Sequence, residues 1–194
     1  RLLHEETLRY YPDNEIALAN LAKFHAEEGR WHEAYALLED GMRRNPAVAD
    51  FYESAAAMAD RQGDRIRAAE YLRRGLKAPG ADRSRLWNDL GVLYSEGGDR
   101  GPAEVAFRES LAAEPESATA WLNLGKEYYL QQRWPEALAA LRRAQELRPG
   151  DAETLEGLGD ASAARATVSY ATTNRVDDAH REGAAGDNIP TAPS

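Results

Sequence analysis

Two stretches decide the architecture: 87-WNDLGVLYSEGGDRGPAEVAFRESLAAEP-115 and 121-WLNLGKEYYLQQRWPEALAALRRAQELRP-149. Aligned, they share Trp87 with Trp121, Leu90 with Leu124, Gly91 with Gly125 and Tyr94 with Tyr128. Ala103 then matches Ala137, Phe107 meets Leu141, and Pro115 matches Pro149 at a period of 34. Working outward, Pro12 and Pro46 are also 34 apart, and Pro46 to Pro115 is 69, one period of 34 and one of 35. The turn-forming Pro79–Gly80–Ala81–Asp82 stretch is where the sequence places the extra residue. An earlier unit carries Leu18, Leu21, Ala22, His25, Ala34, Leu38 and Pro46. A weaker one carries Tyr52, Ala55, Ala56, Ala59, Ala68, Leu72 and Gly80, and a fifth begins at Leu155, Leu158 and Gly159 before the pattern stops.

This spacing predicts paired helices. Trp87, Leu90, Gly91 and Tyr94 fall three or four apart and share one helix face. A glycine inside a helix costs about 1 kcal/mol relative to alanine, so Gly91 and Gly125 imply close packing against a neighbour. Gly29, Gly63 and Gly98 sit where a left-handed residue ends the first helix of a unit. Pro102 and Pro135 fall near second-helix starts, where a missing N–H does little harm. The helices expected are about 1–10, 15–28, 31–44, 49–62, 65–77, 83–97, 101–113, 118–131, 134–147 and 152–164. One pair cannot bury its apolar stripe, so pairs must stack.

At these residues the chain resembles the tetratricopeptide repeat (TPR) family, with its W-x2-L-G-x2-Y, A-x3-F, P pattern. The resemblance covers about residues 1–160 and implies an all-α, TPR-type α-solenoid, a right-handed superhelix of antiparallel helix pairs. Its span would be 1–165, about four full repeats with a half repeat at each end, and its first helices would line a concave face.

Beyond Ala166 the pattern is gone. Thr167–Thr173 is β-branched and polar, Asn174 is placed to cap a short helix at Arg175–Glu182, and Gly183–Ser194 is polar and rich in Gly, Ala and Pro. The sequence therefore predicts a mostly disordered polar tail over 166–194.

Chemistry is sparse. The sequence contains no P-loop, no H-E-x-x-H and no G-x-S-x-G. With no cysteine and four scattered histidines, it offers no thiolate zinc site, no cysteine nucleophile and no metal set. The expectation is a non-enzyme without cofactor. A formal charge of −9 opposes binding to phosphate backbones and anionic lipid, and no apolar run is long enough for a membrane span. Arg43–Arg44, Arg73–Arg74 and Arg142–Arg143 read as cations at helix C-termini on a solvated convex face. Trp87 and Trp121 read as the locks between the helices of a unit, and Trp31 and Trp134 as packing between units.

The resemblance implies that partner peptides are contacted at recurring inner-face positions. Here those are Asn20, Lys23 and Glu27, then Ser54 and Arg61, then Arg85, Asn88, Asp89 and Glu96, and finally Asn123, Lys126 and Tyr129. Asn20 and Asn123 share one register and Lys23 and Lys126 another. An asparagine both donates and accepts, so it suits pairing with the backbone of an extended peptide, as asparagine ladders do in some family members. Here the ladder is interrupted by Ser54 and Asp89. The family's carboxylate-clamp set is not met, because Ala19, Asp50 and Ser54 fall at required places.

The function expected is a non-catalytic protein–protein interaction scaffold that takes an extended peptide or partner protein in its groove. The alternative is an accessory TPR region of a larger bacterial enzyme, a sulfatase-like hydrolase or glycosyltransferase. The chain begins at Arg1 rather than Met, so it reads as a fragment or processed product with room for a catalytic or signal segment upstream. A third reading is a lipoprotein or envelope assembly factor. The Ala- and Arg-rich composition suggests a bacterial source, and 43% hydrophobic with 29% charged residues suits a soluble folded chain; compartment, cytoplasmic or periplasmic, partner identity and oligomeric state stay open.

Overall fold

The computed structural model describes residues 6, 7, 9–11 and 14–186, with side chains described as far as residue 169. Among the described residues there is helix and no strand. The main helices are α1 (Glu15–Glu27), α2 (Trp31–Arg44), α3 (Ala49–Arg61), α4 (Arg65–Leu76), α5 (Arg83–Gly97), α6 (Arg100–Ala113), α7 (Ala118–Leu130), α8 (Trp134–Leu147) and α9 (Ala152–Gly186). Residues 6, 7, 9 and 10 are helical too; the remainder of the segment expected as a first helix over 1–10 lies outside the described residues.

Each first helix begins at a recurring cap. The side chains of Asn14, Asp82, Ser117 and Asp151 accept from the N–H three residues on, at 2.8, 3.1, 3.4 and 2.9 Å. Val48 holds the same register without a side-chain cap. These positions correct the expected site of the extra residue. Asn14–Leu18, Val48–Tyr52 and Ser117–Trp121 are four apart, whereas Asp82–Trp87 are five apart. The extra residue is absorbed in the first turn of α5, not in the turn before it. Gly29, Gly63 and Gly98 adopt φ of +76°, +79° and +84°, and Gln132 takes the fourth equivalent place at +60°.

Size matching fills the interior of each hairpin. A Cβ on Gly91 would stand 2.5 Å from the Phe107 ring, and one on Gly125 2.7 Å from Leu141 Cγ. The two earlier units place Ala22 and Ala56 in that register, with the smaller Leu38 and Leu72 opposite. Ala34, Ala68, Ala103 and Ala137 are all fully buried. Between units, Gly41 leaves room for the Phe51 ring and Gly75 for Tyr52 and Leu86. Trp87 and Trp121 are only half-buried, and the deep positions belong to their neighbours Leu86 and Ala120. Trp121 instead donates its indole N–H to the Pro115 carbonyl at 2.9 Å.

Helix contacts set the curvature. Successive first helices touch one another, α1 with α3, α3 with α5, α5 with α7 and α7 with α9. Among the described residues the backbone of each second helix comes close only to first helices; α2 and α4 meet through long side chains alone, Tyr35 stacking on Tyr71 with ring centroids 5.8 Å apart. The first helices therefore line the inside of the curve. The arginine runs are tied down outside it. Arg74 forks onto Glu39 at 2.7 and 2.8 Å, Arg43 and Arg44 pair with Asp40, and Arg143 pairs with Glu146.

The C-terminal end differs from expectation. The backbone stays helical through Gly186, with neither a break at 165 nor a separate helix at 175–182. Ala161 is buried, but from residue 165 to 169 every side chain is exposed. A helix leaving the body into solvent needs no apolar stripe, and no proline interrupts Ala152–Gly186.

Candidate functional site

The concave face carries the expected residues in two groups. At one end, Asn20 and Lys23 of α1, Ser54 and Arg61 of α3, and Arg85 of α5 line a cavity of about 380 Å³ together with Asp50 and Glu53. Asn20, Lys23 and Glu27 also surround the 37% exposed Phe24. At the other end, Lys126 and Tyr129 of α7 face Glu153, Glu156 and Asp160 of α9 across about 270 Å³. Asn88 and Asn123 join the two groups, the Asn123 amide donating to the Asn88 oxygen at 2.9 Å. Asn88 thus meets Asn123 in the interrupted ladder, because it stands one position before Asp89.

Partners distinguish residues of equal register. Lys126 is ion-paired to Glu153, whereas Lys23 is exposed and has no ion pair among the described residues. Tyr129 packs edge-on against Trp134, ring centroids 5.2 Å apart. Arg61 lies over the Trp31 ring at 5.9 Å, a cation–π contact that ties α3 to α2. Arg85 bridges helices by pairing with Asp50 at 2.8 Å and with Glu53.

Two carboxylates on this face are electrostatically unusual. Burial pushes the Glu53 carboxyl up to about 7; the negative charge of Asp89 adds to the rise and Arg85 opposes it. Burial likewise raises Asp89, again against Arg85. Composition does not reveal this, because Glu53 is one of 33 acidic residues. The only sequence signal is an acidic side chain one position before Ser54, beside Ala56 and Ala57. Glu127 is fully buried where the other units carry Phe24, Met58 and Leu93. Its carboxylate accepts from Ser95 at 2.6 Å, Gln131 at 3.2 Å and Arg100 at 3.3 Å, which marks it as an internal tie.

His25 is half-buried at the end of α1 and His32 is exposed at the start of α2. No group of three or more potential metal ligands occurs among the described residues, and no helix among them is long and apolar enough to cross a membrane.

Comparison with known proteins agrees with this architecture. Models of the tetratricopeptide repeat match residues 17–50 and 88–152, together just over half of the chain. The peroxisomal targeting signal receptor of Eremothecium gossypii is 29% identical over 147 residues, covering 75% of this chain and 25% of the receptor. The chain thus spans about a quarter of the length of the curated relatives it matches. The structure of YrrB, a TPR protein with an unusual peptide-binding site, superposes with a TM-score of 0.58 at 17% identity, covering 84% of this chain and 83% of that one. The O-GlcNAc transferase of Thermobaculum terrenum gives a TM-score of 0.50 at 32% identity over 57% of this chain and 21% of its own.

Proposed function

Because the chain belongs to the tetratricopeptide repeat family, we propose that it is a non-catalytic interaction scaffold whose concave groove holds an extended segment of a partner protein. The observation that carries this reading is the polar seam along the first helices. Asn20, Lys23 and Arg85 surround one cavity, Asn88 pairs with Asn123 mid-groove, and Lys126 with Tyr129 lines another. Asparagines that both donate and accept, with lysine and arginine donors between them, suit the regularly repeating carbonyls and amides of an extended backbone. The peptide-binding site of YrrB supports the same use of the fold.

The test is a partner captured with this chain and measured against Asn20, Lys23, Asn123 and Lys126 all changed to Ala. Affinity should fall by at least about tenfold, or 1.4 kcal/mol, with helix content retained. Unaltered affinity, together with loss on changing Arg43, Arg74 and Arg142 of the second helices, places the binding surface on the opposite face.

A second reading has its own observation. The 32% identity to part of an O-GlcNAc transferase supports the accessory role, in which these repeats present a protein substrate to a catalytic domain elsewhere in a longer chain. An intact gene encoding a transferase or hydrolase domain in frame favours it.

A further inference from the structure

Resting on the groove reading above, we propose that the middle of the groove is a receptor for one cationic side chain, lysine or arginine, of the segment bound there. Between α3 and α5 lies a cavity of about 190 Å³. Its floor is aliphatic, built from Leu72, Val92 and Leu93 with small alanines between them, and its rim carries Glu53, Asp60, Asp89 and Glu96.

The chain's own cations leave this rim with excess negative charge. Arg85 is shared between Asp50 and one oxygen of Glu53, in the neighbouring cavity. Arg65 pairs with Asp60 at 3.6 Å and so offsets one of the four rim carboxylates. Asp89 and Glu96 have no ion pair among the described residues. An occupant with an aliphatic stem and a cationic head answers the arrangement: the stem covers the floor and the head supplies countercharge to the rim carboxylates. An apolar side chain covers the floor but leaves the charge of the rim unanswered, and an acidic one is repelled.

The probes are acetylated, amidated extended peptides that differ only in a central lysine, norleucine or glutamate, titrated into the full ¹⁵N-labelled chain. The lysine peptide should bind about tenfold tighter than the norleucine peptide, as a charge-assisted hydrogen bond warrants, with added amide shifts at Ala56, Ala57 and Val92. Glu53→Gln combined with Asp89→Asn should remove that preference while leaving norleucine binding in place. Glu96→Gln, at an exposed position, should reduce it without touching the interior. Equal binding of lysine and norleucine peptides along the groove overturns the receptor and leaves the groove reading intact. A lysine preference that survives the double change also overturns it. If no peptide shifts any residue of α1, α3, α5 or α7, both readings fall.

Discussion

Gln132 shows how local backbone demand is met differently in one unit. Three units place glycine in the left-handed turn between their helices, and the fourth places a side chain there at φ +60°. That conformation costs an L-residue about 1 kcal/mol. Gln132→Gly should raise unfolding stability by about that amount, read from the urea midpoint, since Gln132 is exposed and loses little contact. Glu53 gives a second test. Its carboxyl titrates near 7 when folded, above the ordinary 4.5. The folded chain therefore holds more protons than the unfolded chain between those values, so this group makes stability fall as pH rises through that window. Asp89 is shifted in the same direction. Glu53→Gln should flatten the decline without abolishing it; an unchanged slope contradicts the assignment to Glu53. Neither effect was legible in the sequence. Gln132 lacks the glycine that marks the turn elsewhere, and the behaviour of Glu53 depends on Asp89 and Arg85, which lie more than thirty residues away in sequence.

At the scale of elements, a repeating ruler made the helix boundaries readable to within a residue or so from α1 to α8. Leucines and aromatics at recurrent spacing, with the glycines and prolines between helices, carried that reading; the caps Asn14, Asp82, Ser117 and Asp151 came from the structure. Two readings failed for definite reasons. Pro79 and Gly80 signal a turn but carry no register, so they drew the extra residue away from the first turn of α5. In α9 the absence of an apolar stripe beyond Ala164 suggested the end of a helix, although the backbone stays helical and the side chains of residues 165–169 simply face solvent. Deleting residues 166–194 should lower far-ultraviolet helix content while leaving the unfolding midpoint of the stacked body within a few degrees. A large drop in that midpoint means that the extension covers α8 or α9 after all.

For the whole molecule, curvature converts a stacking rule into a surface. The backbones of first helices approach one another and those of second helices do not, so inner-face residues of separate units converge although they lie about 34 residues apart in sequence. The family resemblance, carried onto this chain by the repeat period, implied that Asn20, Lys23, Asn88, Asn123 and Lys126 are inner-face positions. It did not reveal that Asn88 and Asn123 would pair, that Lys126 would be held by Glu153, or that a carboxylate-rimmed cavity would open between α3 and α5. Those features depend on distances across units. Amide hydrogen exchange of the chain with and without a captured partner reads the surface in one experiment. Protection should increase in α1, α3, α5 and α7 and stay level in α2, α4 and α6. Protection confined to the second helices contradicts the groove as the binding surface.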